Sequence, residues 1–108
     1  MHITIDALER YLGHRYGGWG IDESMFMKLV EEMGEVAEVL NKKSGRKASE
    51  QEDLKEELGI ELADIIHYIL AIAALNDLDM ERIILEKDKK ASQKYHHDIN
   101  LEQFLQNT

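Results

Sequence analysis

Phe26-Met27-Lys28-Leu29-Val30-Glu31-Glu32-Met33-Gly34-Glu35-Val36-Ala37-Glu38-Val39-Leu40 is the stretch on which the fold turns. Phe26, Leu29, Val30, Met33, Val36, Ala37 and Leu40 recur at three- and four-residue spacing and make a wide apolar stripe on a helix. On the same helical wheel Glu31, Glu35 and Glu38 lie opposite the stripe, and Glu32 lies on its flank. A solvated acidic face requires no carboxylate at the flank of a core, whereas a flank is where a site between helices can form. Glu61-Leu62-Ala63-Asp64 repeats the spacing: Glu32 and Glu35 are three apart, as are Glu61 and Asp64. Each pair therefore projects from one side of its helix. Like charges come together readily only around a cation, so two helices are expected side by side, holding a divalent metal. Gly34, among the acids, costs about 1 kcal/mol relative to alanine in a helix. Close approach of a neighbouring helix or ligand would explain it.

The 108 residues suit one small helical domain spanning 1–108, with a core modest enough that an oligomeric partner would supplement it. Apolar residues make up 44% and charged residues 32%, which argues against disorder. Proline is absent and Leu, Glu, Lys, Ala, Met and Ile dominate, so an all-α chain of four to five helices is expected. There is no run of about 18 apolar residues and no basic-then-apolar leader pattern, which points away from a membrane. With no cysteine, disulfide and thiolate chemistry are ruled out, and a cytoplasmic location fits. The net charge of −9 disfavours nucleic-acid binding, which Lys and Arg drive. A metal ion that reverses the local charge would still admit a small anionic substrate.

Thr4 can cap a first helix to about Gly13, with Ile5, Leu8, Leu12 and Tyr11 as its stripe. Four glycines between Gly13 and Gly20 predict a loop. It carries the only tryptophan, Trp19, either a plug at the end of the core, the commoner fate of tryptophan, or, like Tyr16, a platform for a base or pocket. Asp22 is a reasonable cap for the second helix, Glu23 to Leu40. Residues 41–48 form a basic connection with Lys42, Lys43, Arg46 and Lys47, more simply a solubilising loop than a lid over phosphates. Ser49 to Glu52 reads as a capping box opening a third helix through Leu75. The second half of that helix, from Ile65, is apolar nearly all round, which suggests burial against another subunit. His67 there reads as a hydrogen-bonded core or interface residue. Asp79 can cap a fourth helix to about Tyr95, with Lys87 facing inward beside Met80, Ile83, Ile84 and Ala91. Asn100 and Gln103 cap a short last segment.

Oxygen-only ligands favour Mg²⁺ or Mn²⁺ over Zn²⁺. Di-iron bundles use Glu-x-x-His on two helices; here Asp64-Ile65-Ile66-His67 is the nearest match and occurs once, so a ferritin-like oxidase is disfavoured. Mg²⁺ usually bridges carboxylates to phosphates, which makes a nucleotide or other phosphoanhydride the natural co-ligand.

Glu32-x-x-Glu35 followed by Glu61-x-x-Asp64, with Glu31 to Glu38 and Glu61 to Ile65 around them, resembles the signature of the MazG-like all-α nucleoside triphosphate pyrophosphohydrolases. The resemblance covers about residues 19 to 95. It implies Mg²⁺-dependent hydrolysis of a (deoxy)nucleoside triphosphate to monophosphate and pyrophosphate, by a homodimer or homotetramer whose helices build the site. Carried over, Glu32, Glu35, Glu61 and Asp64 would be metal ligands. One of them, or Glu31 or Glu38, would orient or deprotonate the attacking water. Lys87, Lys90, Lys94 and Tyr95 match a C-terminal substrate-contacting stretch of the family, although Ala91 stands where asparagine is expected. Two alternatives compete: a non-catalytic helical interaction module whose acidic face is merely solvated, and the related phosphoribosyl-ATP pyrophosphatase.

Overall fold

In the computed structural model, which describes residues 1–45 and 53–107, five helices follow one another. They are α1 (Ile5–Tyr16), α2 (Asp22–Lys43), α3 (Leu54–Leu75), α4 (Met80–Lys94) and α5 (Leu101–Gln106). No strand occurs among the described residues, as the composition predicts. The caps at Thr4, Asp79 and Asn100 are formed. Thr4 Oγ1 accepts from the Ala7 amide at 3.0 Å, and Asp79 Oδ1 accepts from the Arg82 amide at 3.2 Å. Asn100 and Gln103 cap reciprocally at 2.8 and 2.9 Å. Each bond satisfies an amide that the first turn of a helix leaves unpaired.

Elsewhere tertiary contacts override local signals. Asp22 is not the cap of α2: Ile21 holds that position without a side-chain bond, and Asp22 is the first helical residue. Its carboxylate accepts instead from Asn76 Nδ2 at 3.1 Å, tying the start of α2 to the end of α3. The glycine-rich loop begins at Gly17, not Gly13. Gly13 is helical and lies against α3, where a Cβ would stand in ordinary contact with Ala74 Cβ at 3.5 Å. At Gly20 a Cβ would meet Tyr16 Cβ at 2.9 Å, so the turn closes only with glycine. Lys42 and Lys43 belong to the last turn of α2, not to a loop. The Ser49–Glu52 capping box and Arg46, Lys47 and Ala48 lie outside the described residues; the described α3 starts at Leu54, where Asp53 accepts from the Glu56 amide at 3.1 Å.

α2 and α3 run antiparallel, joined by Asp22–Asn76 at one end and with Glu32 facing Glu61 at mid-length. Along α2, Met25 and Val39 are buried and Leu29, Glu32 and Val36 half-buried. That is a heptad-like seam, and Glu32 lies inside it. α1 lies on α3, and Leu12, Tyr16, Met25, Leu70 and Ala71 form the buried core. α4 packs chiefly on α1 and α5. Two carboxylates fix these joints: Glu9 accepts from the Met80 amide at 3.0 Å, and Asp88 from the Leu101 amide at 2.6 Å.

By length and composition α3 is the one helix, among the described residues, apolar enough to cross a membrane; here both α1 and α2 pack against it. Much of its apolar surface is nonetheless uncovered: Leu62, Ile66 and Ile69 are exposed, as are Phe26, Val30, Met33 and Leu40 of α2. The radius of gyration is 17.0 Å, against about 13 Å for a compact chain of this length. One copy is therefore an open arrangement with a small core.

Leu12 is fully enclosed. Leu12→Ala is expected to cost roughly 3 kcal/mol in urea unfolding; a cost under about 1 kcal/mol would show that this core does not hold α1.

Candidate metal centre

The seam between α2 and α3 changes character at its middle. Glu32 on α2 and Glu61 and Asp64 on α3, all half-buried, bring carboxylate oxygens within 4.8 Å of one another. Two ligands on opposite sides of Mg²⁺, at about 2.1 Å each, stand about 4.2 Å apart. Helical geometry explains the set: Glu61 and Asp64 are one turn apart on α3, and Glu32 takes a core position of α2 directly across from them. Glu35 lies one turn beyond Glu32, more exposed, with its carboxylate close enough to Glu61 to hydrogen-bond.

Glu32 Oε2 and Glu61 Oε2 are buried and find no hydrogen-bond donor among the other described residues. Buried ionised oxygens need a donor, a proton or a cation. Without metal the proton is the answer. The Glu61 carboxyl is pushed up from 4.5 to about 8, first by hydrogen bonding its proton to Glu32, then by Glu35, with burial and the repulsion of both neighbours adding. No lysine or arginine pairs with these acids in any ion pair of the described residues. The donor set is hard oxygen and anionic, and it fits a hard divalent cation.

The other expected site residues separate into groups. Glu31 points to solvent and pairs with Lys28 at 3.6 Å. Glu38 is half-buried one turn beyond Glu35. Gly34 is not closely approached within this chain, since nothing lies within 4 Å of where its Cβ would stand. Trp19 does not plug the core: it is 66% exposed, and its indole N–H donates to the Arg15 carbonyl at 2.8 Å. Tyr16 takes the buried place instead, because its longer polar tip reaches His67 Nε2 at 2.7 Å. Burial and the Arg15 charge lower the His67 pKa, against a smaller opposing effect of Asp64. Lys87 is exposed and not directed inward, as are Lys90, Lys94 and Tyr95, with Lys94 Nζ 5.3 Å from the Tyr95 ring centre. All four lie on or just after α4, which packs away from the acidic seam.

Tyr68 is the residue that periodicity alone passes over. It stands one turn past Asp64, beside the acidic seam. Burial raises its pKa most, followed by Tyr16 and Glu32, while Lys28 partly offsets them. Its i+4 spacing from Asp64 was the available signal.

A family model, the MazG nucleotide pyrophosphohydrolase domain, matches residues 22–98. The match takes in α2, α3 and α4, with every carboxylate of the cluster, and leaves out α1 and α5. No curated protein and no solved structure matches the chain.

In chelator, native Glu61 keeps its proton to about pH 8, whereas in the unfolded chain it is released near 4.5. Between those values the native state binds the extra proton, so the metal-free protein loses stability as pH rises. Glu61→Gln, neutral throughout, is expected to flatten that decline in thermal melts from pH 5 to 8.5 and to melt higher than the wild type at the upper end. Parallel curves for the two proteins would contradict the shared proton.

Proposed function

The chain belongs to the MazG nucleotide pyrophosphohydrolase family, and we propose that it hydrolyses a (deoxy)nucleoside triphosphate to the monophosphate and pyrophosphate with Mg²⁺, Mn²⁺ being a workable substitute. One observation carries this reading: buried Glu32 and Glu61 oxygens with no donor, converging with Asp64 inside the matched domain. Glu32, Glu61 and Asp64 would hold the ion, with Glu35 as the fourth ligand. When bound, the metal offsets phosphate charge and lowers the pKa of a coordinated water.

The chain's own residues account for the remaining work. Water attacks the α-phosphorus, the bond from that phosphorus to the bridging oxygen breaks, and pyrophosphate leaves. The attacking water has to give up a proton, and Glu35 or Glu38 is suited to take it. Glu35 is exposed beside Glu61, and Glu38 sits one turn on along the same helix. Glu31, which pairs with Lys28 at 3.6 Å, is the third candidate on this helix. Trp19, exposed and tilted against the Tyr16 ring at 5.2 Å, offers a face on which a base can stack.

A second copy of the chain would complete the site. Phe26, Val30, Met33, Ala37 and Leu40 form an exposed stripe at 4-3-4-3 spacing on α2, the pattern that packs into a partner helix. Leu62, Ile66 and Ile69 extend it on α3. Lys87, Lys90, Lys94 and Tyr95 lie away from the seam of their own chain, and a partner subunit is the natural source of phosphate contacts. We propose a homodimer or a homotetramer built on this stripe.

Mg²⁺ together with a nucleoside triphosphate is expected to raise the melting temperature. Pyrophosphate release is expected to fall by at least about 100-fold in Glu35→Gln and Asp64→Asn, with the helical signal preserved. A flat thermal response and equal activity in both variants would remove the proposed site. Met33→Glu is expected to shift sedimentation toward the monomer; an unchanged profile would place the subunit interface elsewhere.

A further inference from the structure

Tyr16 ends α1 almost fully buried, and its hydroxyl lies 2.7 Å from His67 Nε2, across 51 residues of chain. His67 stands one helical turn beyond Asp64. On the other side of Tyr16 begins the turn that carries Trp19: the Tyr16 carbonyl accepts from the Gly20 amide at 2.7 Å and from the Trp19 amide at 3.2 Å. The Trp19 and Tyr16 rings are 5.2 Å apart, Tyr16 and His67 5.7 Å, and His67 and Tyr68 5.0 Å. The contacts run unbroken from an exposed indole to the helical turn that bears a carboxylate of the acidic cluster. Tyr16 and Trp19 both precede residue 22, where the family match begins.

We infer that Tyr16 and His67 are positioning residues whose hydrogen bond sets the Trp19 turn at a fixed distance from the Glu32, Glu61 and Asp64 cluster. The inference rests on the proposed reading in which Trp19 faces the nucleotide. A nucleotide whose phosphates sit at the carboxylates has its base at a distance dictated by its own covalent frame. A stacking group helps only if it is held at that distance before binding. Gly18, at φ 88°, and Gly20 flank Trp19, and the bonds of the turn, from the indole to the Arg15 carbonyl and from the Trp19 and Gly20 amides to the Tyr16 carbonyl, tie it to α1 and not to α3. The Tyr16 ring is the turn's floor, and the bond to His67 registers that floor against α3. Breaking the bond leaves the ring packed in the core but releases its register, and leaves half-buried Nε2 without its partner.

Tyr16→Phe deletes the hydroxyl and keeps the ring; His67→Leu deletes the imidazole partner; His67→Gln keeps a polar group within reach. Binding is read from emission of Trp19, the only tryptophan, while the four common deoxynucleoside triphosphates are titrated with Mg²⁺, beside steady-state pyrophosphate release. Tyr16→Phe and His67→Leu are expected to raise KM and the fluorescence Kd about fivefold, with kcat and the Mg²⁺ midpoint moving less than about twofold. His67→Gln is expected to restore most of the loss. Unchanged KM with only a lower melting temperature makes the pair structural and overturns the inference. An equal loss in kcat and in Mg²⁺ midpoint also overturns it. A wild-type protein that binds nucleotide with this pattern but hydrolyses none refutes the hydrolase reading alone. One that hydrolyses nucleotide without any change in Trp19 emission refutes the positioning role alone.

Discussion

Two buried carboxylate oxygens without donors, one on each side of the α2–α3 seam, are the constraint around which this molecule is arranged. Burying ionised groups costs several kcal/mol each unless something offsets them. An apolar pair in the same seam would continue the packing of Leu29 and Val36 without that desolvation cost. The protein instead keeps Glu32, Glu61 and Asp64 together, with the Glu61 carboxyl pushed up to about 8 by its hydrogen bonding to Glu32 and Glu35. Stability is given up at a cluster that could hold a cation, and a cation held there would restore it.

The neighbouring structure serves to hold that seam. The antiparallel pairing of α2 and α3 is fixed at its end by Asp22–Asn76, and α1 braces α3 through Leu12 and Tyr16. The Glu9 and Asp88 carboxylates each cap the helix that follows, which orients α4 and α5 without adding much core. The result is a chain with few enclosed residues and broad exposed apolar stripes on its two longest helices. Such surface is expensive to leave in water, and self-association is the simplest way to cover it.

Much of this was legible in the residues. Five helices, three of the N-caps and the convergence of Glu32, Glu61 and Asp64 follow from three- and four-residue periodicity, because a helix converts spacing into direction without help from the rest of the chain. The misreadings share a cause. Asp22 was expected as a cap and Trp19, on one of its two readings, in the core, and each was decided by a residue far along the chain: Asn76, and His67 through Tyr16. Local propensities of about 1 kcal/mol lose to such contacts. Gly34, read as a sign of close packing, meets open space in this chain. Lys87, Lys90, Lys94 and Tyr95 match the resemblance by residue type but stand on or just after a helix whose packing partners, α1 and α5, no periodicity reveals.

The most direct test of the metal role is anomalous diffraction from crystals grown with Mn²⁺. An anomalous peak bounded by the Glu32, Glu61 and Asp64 carboxylates, with Glu35 within reach, is the expected result. Ordered density at those carboxylates with no anomalous signal at millimolar Mn²⁺, or a peak only at other acids, would contradict it.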